Sequence, residues 1–131
     1  MKKNVLEAMI ELGLIVEKYD EENYRFSYEG HYFLYVPDDE YPEYLTIARP
    51  YVYDLVEGEE KRMFLICDKI NETIPYIKAY IIHKSVWLYA EIVVDDMDHL
   101  EQILIQMVSQ LRCSYDAAMD IISKFEQMVI D

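Results

Sequence analysis

The stretch "NYRFSYEGHYFLYV", residues 23–36, decides the fold, because its period is two and a turn signal sits in its middle. Tyr24, Phe26 and Tyr28 alternate with Arg25, Ser27 and Glu29, the pattern of a half-buried strand. Gly30 breaks the run and "HYFLYV" resumes it. A hairpin is expected. Its natural loop is Tyr28–Glu29–Gly30, a type I turn closed by glycine in the left-handed region. Ser27 then closes against His31, with Phe26 opposite Tyr32 and Tyr24 opposite Leu34. One face collects Tyr24, Phe26, Tyr32, Leu34 and Val36, and this face is assigned to the helices. The other carries Arg25, Ser27, His31, Phe33 and Tyr35. A shorter loop would swap the second strand's faces, as a register slip of one residue always does. Aromatics thus fall on both faces, and the second face needs a cover.

Upstream, Val5, Leu6, Met9, Ile10 and Leu12 recur at helical spacing over about residues 3–17, with Asn4, Glu7 and Glu11 opposite. Gly13 lies inside or near the end of that helix. Downstream, "VPDDEYPE" is a second turn, with Pro37 and Pro42 as breakers. "YLTIARPYVYDL" follows as a strand that Pro50 interrupts, which suits an edge or a bulge. In "EGEEKRMFLICDKINETIP" the spacing becomes helical, and Met63, Ile66, Cys67 and Ile70 share a face. Its acidic start suits the helix dipole, and Pro75 stops it.

"YIKAYIIHKSVWLYAEIVV" is a second hairpin, around His83, Lys84 and Ser85. Val86, Leu88, Ala90, Ile92 and Val94 make its core face. Trp87, Tyr89, Glu91 and Val93 fall on the other. The last segment opens at Asp95, Asp96 or Asp98 as N-cap and runs to the C-terminus. In it Leu100, Leu104, Met107, Leu111, Ala118, Ile121, Phe125 and Met128 keep a four-three rhythm. The stripe widens to Ile103, Ile105, Val108, Tyr115, Ile122 and Val129, as for a helix laid on a sheet with a dimer contact besides. Ser114 is a candidate cap for a second helix, so one bent helix and two in succession both stay open. The expected fold is an α+β single domain over residues 1–131. Its one antiparallel five-stranded sheet carries the N-terminal and C-terminal helices, in the order α-β-β-β-α-β-β-α.

Composition narrows the function. Hydrophobic residues make up 53% of 131, enough for a real core and incompatible with disorder. The net charge of −14 argues against nucleic acid and anionic membranes, and suits a basic or amphipathic protein partner. Three glycines leave no phosphate-cradling loop. No apolar run reaches the length of a membrane span. Glu7 and Glu11 interrupt the signal-peptide-like start, so the cytoplasm is the expected location. Cys67 and Cys113 sit in apolar helix-like stretches and read as buried free thiols.

No catalytic constellation emerges. His31, His83 and His99 have no metal-ligand spacing. The acidic runs lack the glycine and terminal glutamate of a calcium loop and serve as helix starts. Glu91 interrupts an apolar strand without a second group to form an acid–base pair, and reads as a solvent-facing residue. The serines have no nucleophile-elbow glycines around them. No enzyme and no cofactor are expected. The candidate protein-binding residues are Phe33, Tyr35, Trp87 and Tyr89, placed by alternation on the face away from the helices. Two functions stay open: a protein-binding or chaperone-like module that forms a homodimer, and a small-ligand sensor or enzyme with a pocket between sheet and helices.

The segment "DKINETIPYIKAYIIHKSVWLYAEIVVDDMDHLEQILIQMVSQL" resembles the YbjN-like proteins, a family described as sensory-transduction regulators. The likeness rests on Ile70 and Asn71 late in the middle helix and Lys78 opening a strand. It extends to the strand ending at Glu91 and a long helix after an acidic turn. Pro75 and the tyrosine load depart from the pattern. The resemblance implies the fold of the type III secretion chaperones, small acidic dimers that hold polypeptide partners.

Overall fold

A computed structural model describes residues 1–128; Val129, the last position of the expected stripe, lies outside the described residues. The elements run α1 (Lys2–Glu11), β1 (Val16–Lys18), β2 (Tyr24–Tyr28), β3 (His31–Tyr35), β4 (Tyr44–Asp54), α2 (Glu60–Thr73), β5 (Ile77–Ile82), β6 (Ser85–Val93) and α3 (Leu100–Glu126). One 3-10 turn, Met97–His99, leads into α3. The fold is α+β with one antiparallel sheet, ordered β1-β2-β3-β4-β6-β5. It has six strands instead of the expected five. The extra one, β1, is three residues long, too short to display a period of two, and its first two residues fall in the span expected as helix.

Gly13 is what ends α1. At φ +79° it sets up a Schellman closure, in which its N–H donates to the Ile10 carbonyl and Leu14 N–H to that of Met9. Val5, Ala8 and Met9 form the buried stripe of this short helix. Ile10, expected in it, points outward and is 66% exposed.

The first hairpin corrects the expected register. Tyr28 pairs with His31, Phe26 with Phe33 and Tyr24 with Tyr35, so the loop is only Glu29–Gly30. Both loop residues have positive φ, +48° and +79°, as a type I′ turn requires. The left-handed region costs a non-glycine residue such as Glu29 roughly 1–2 kcal/mol. Burying one large ring stabilises by about 1.5–3 kcal/mol. The two-residue loop brings both Phe33 and Tyr35 under the helices, so ring burial wins. Phe26 stacks on Phe33 with centroids 5.8 Å apart, and Tyr24 on Tyr35 at 6.2 Å.

Pro50 sits at a bulge, and β4 lies inside the sheet between β3 and β6. Arg49 pairs with Leu88 and Tyr53 with Val86, so Pro50, Tyr51 and Val52 together oppose the single residue Trp87. The second hairpin also closes on two residues, since Ile82 pairs with Ser85. α3 is one continuous helix with Ser114 buried inside it, and Asp96 caps the turn before it by accepting from Asp98 N–H. Cys67 is buried as expected, but Cys113 is exposed. It lies between the buried Leu111 and Ser114 of α3, at a helical angle that turns it outward.

All three helices pack on one face of the sheet. Val5 and Met9 of α1, Met63, Ile66 and Ile70 of α2, and Leu104, Leu111 and Ile122 of α3 share one cluster with Phe26, Phe33, Tyr35, Leu45, Ile47 and Leu88. That leaves the other face without a helix among the described residues.

Candidate functional site: the uncovered face of the sheet

Alternation puts Tyr32 and Leu34 of β3, Thr46 and Ala48 of β4, Lys78 and Tyr80 of β5, and Trp87, Tyr89 and Glu91 of β6 on the uncovered face. Leu34, Ala48 and Trp87 are buried there as a second, separate cluster, with Val36, Ile82 and Tyr89 packed against it. The register makes this cluster continuous, since Leu34 lies beside Ala48 and Ala48 beside Tyr89. The small Ala48 side chain leaves the space that its larger neighbours fill.

Rings, together with Val36 and Ile82, cover the cluster in place of a helix. Tyr51 meets Trp87 edge-on at 5.1 Å, and Tyr89 stacks on the other side at 6.3 Å. Tyr80 meets Tyr89 at 5.6 Å, and the imidazole of His83 lies 6.5 Å from the indole. The bulge places Tyr51 there, at φ +52°, by bending three residues of β4 over one residue of β6. The Tyr51 hydroxyl meets that of Tyr19 at 3.0 Å, which raises the Tyr19 phenol to about 12. Burial pushes Tyr89 up to about 12 as well, with neighbouring Tyr80 adding to it. These phenols stay neutral at physiological pH, able to donate as well as accept. At the other end of the face Tyr32 lies under two guanidinium groups, with Arg25 at 5.9 Å and Arg49 at 5.7 Å. Arg25 is itself paired with Glu17.

The covering is incomplete. Trp87 is 5% exposed, but Tyr51 is 39% and Tyr80 48% exposed. The indole Nε1 of Trp87 is buried with no acceptor among the described residues, an uncommon state for a buried donor.

The candidate residues from the sequence therefore divide. Trp87 and Tyr89 lie on the uncovered face as expected. Phe33 and Tyr35 do not: they are 0% and 1% exposed in the helix-covered core. The two-residue loop is the reason, because it reverses the faces of β3. Leu34 takes the place expected for Phe33. Tyr51 and Tyr80 also belong to the face and were missed. Tyr80 was legible from its alternation with Ile77, Ala79 and Ile81, whereas Tyr51 depends on the phase shift at the bulge.

The edge of the sheet beside this face is capped at one residue. Ala79 N–H of β5 donates to Asn71 Oδ1 at 2.7 Å, and Asn71 Nδ2 donates back to the Ala79 carbonyl at 3.2 Å. The Asn71 amide imitates a neighbouring strand's peptide group, occupying the two backbone groups that Ala79 would offer an incoming strand.

Glu91 is exposed and accepts from Thr46 Oγ1 at 3.0 Å. Among the described residues no group of three or more His, Cys, Asp or Glu side chains could hold a metal ion. No described helix is long and apolar enough to cross a membrane. No protein-family model matches the chain, and no curated protein matches it significantly.

Proposed function

We propose that this chain is a non-enzymatic protein-binding module, chaperone-like or regulatory in role, and that the uncovered sheet face receives another polypeptide. One observation carries the reading. Trp87, Leu34 and Ala48 are buried by Val36, Ile82 and a half-exposed layer of tyrosines, on a face with no helix among the described residues. Tyrosine and tryptophan suit surfaces that are alternately wet and covered, because ring and polar tip each find a partner. They also dominate binding energies, burying large areas at little rotamer cost. The net charge of −14 keeps such a face soluble when it is free. Membership of the YbjN-like proteins, with a chaperone-type fold and a cytoplasmic location, belongs to the same proposal.

A pocket between sheet and helices, which a small-ligand sensor or enzyme would need, has less support. That space is filled by the packed core. The cavities described, about 300 to 480 Å³, lie at the margins of that core: between α1 and the start of α3, where the start of α1 meets Tyr35, beside Phe26 below the α1–β1 turn, and along the loop before β4.

The test uses Tyr80→Ser with Tyr89→Ser, and light scattering across micromolar concentrations. A polypeptide-binding face predicts that the double variant loses peptide capture while its thermal midpoint moves by only a few degrees. A second copy seated on the face would appear as a homodimer that the same changes dissociate. A wild-type mass near 15.7 kDa throughout, with peptide capture untouched by both changes, would overturn the assignment of this face.

A further inference from the structure

The uncovered face ends in a cavity of about 340 Å³ lined by Asp38, Tyr41, Tyr44, Thr46 and Glu91. Its volume sits at the low end for ligand sites and suits one long side chain. The lining is chemically specific. The rings of Tyr41 and Tyr44 stand nearly perpendicular, 82° apart in plane, with centroids at 6.1 Å. Asp38 and Glu91 bring two carboxylates, and neither is in an ion pair among the described residues.

The site is held in place by its own backbone. Asp38 Oδ1 accepts from Glu40 N–H at 2.9 Å, and the Asp38 carbonyl accepts from Tyr41 N–H at 3.2 Å. Tyr44 N–H donates to the Tyr41 carbonyl at 3.1 Å. Val94 N–H, just beyond β6, donates to the Glu43 carbonyl at 2.9 Å and pins the loop to the sheet. Thr46 Oγ1 fixes Glu91 Oε2 and leaves Oε1 without a protein partner among the described residues.

We infer that this cavity takes the cationic side chain, lysine or arginine, of the polypeptide that docks on the uncovered face. The inference rests on the reading of that face as a docking surface and adds the chemistry of its partner. Ring faces attract a cation through their quadrupole, and unpaired carboxylates add charge and acceptors. Tyr89 and Glu91 lie on the same face of β6, so cavity and aromatic layer are adjacent. A partner segment would pair an apolar or aromatic residue against Tyr80 and Tyr89 with a basic residue a short distance along. The chain's acidic balance steers such a segment toward the face.

The experiment is selection of a random dodecapeptide library on the immobilised whole protein. It is repeated on the Asp38→Asn, Glu91→Gln double variant and on the Tyr80→Ser, Tyr89→Ser variant. Asp38 and Glu91 are exposed, and the amides keep the shape of each side chain, so the fold is retained. The expected wild-type pool is enriched in lysine or arginine near an aromatic or branched residue. A peptide from it, resynthesised with norleucine for the basic residue, binds about tenfold more weakly. The carboxamide variant loses the basic preference but keeps the apolar one. A wild-type pool with no basic preference, or equal affinity for the norleucine peptide, overturns this inference and leaves the docking face standing. A pool no richer than background on all three proteins overturns both.

Discussion

The two faces of this sheet are built from the same strands with similar side chains, and they differ in what lies above them. On one, Phe33, Leu45, Ile47 and Leu88 reach zero exposure under three helices. On the other, Leu34, Ala48 and Trp87 are nearly as buried, yet they are covered by Val36, Ile82 and tyrosines from the sheet itself and its bends, with no helix among the described residues. Burial alone does not separate a finished core from a surface kept dry by its own rings. A finished core is closed by a second layer of backbone. The uncovered face is closed by side chains that can turn away.

The widest gap between the faces should appear on truncation. Phe33→Ala should destabilise by about 3–5 kcal/mol in chemical denaturation, because the helices above it cannot collapse into the space. Trp87→Ala should cost less, about 2–3 kcal/mol, since half-exposed tyrosines can settle inward and an unpaired donor is removed with the indole. Equal losses at both positions would erase the distinction between the faces.

The sheet edge gives a smaller effect. Asn71→Ala leaves the Ala79 N–H and carbonyl without their partners, and should cost about 1–2 kcal/mol. It should also open β5 to strand pairing, visible as concentration-dependent association in sedimentation. If the variant stays as monodisperse as the parent, the edge was not being guarded by this amide.

The smallest effect lies at the rim of the helix-covered face. His31 packs edge-on against Tyr115 of α3 at 4.9 Å. Burial, then Arg49 and Arg112, hold its imidazole below the usual 6.5, against the weaker pull of Asp116 and Glu29. The unfolded chain therefore binds a proton more readily than the folded one. Stability from neutral His31 is fully present above about pH 6.5 and falls away as pH drops through the lower folded value. The thermal midpoint should decline slightly between pH 7 and 5, and His31→Gln should flatten that decline. A midpoint for His31 above 6.5 in an NMR titration would reverse the sign.

Much of this was legible in the chain. The helical stripe of Met63, Ile66, Cys67 and Ile70 and the alternation of Val86, Leu88 and Ala90 against Trp87 and Tyr89 are local patterns. They survive because each element buries the face its own period marks. The Pro50 interruption was visible for the same reason, since proline restricts its own backbone, but the end of α1 at Gly13 was not: the apolar spacing carries the helical pattern on to residue 17. The faces of Phe33 and Tyr35 were not visible. They hang on one residue of loop length, and Glu29–Gly30 suits two loops almost equally well. The choice between them follows from which rings the helices bury, and those helices are distant in sequence.

By itself, then, the sequence determined the alternation of helix and strand, the antiparallel hairpins and the excess of aromatic surface, because backbone preference and side-chain period act within a few residues. Only the tertiary structure decided which aromatics became core. It set all three helices on one face, capped the β5 edge at Ala79 with Asn71, and drew Tyr51 over Trp87. Those outcomes depend on register and packing between segments far apart in the chain, where a shift of one residue exchanges inside for outside.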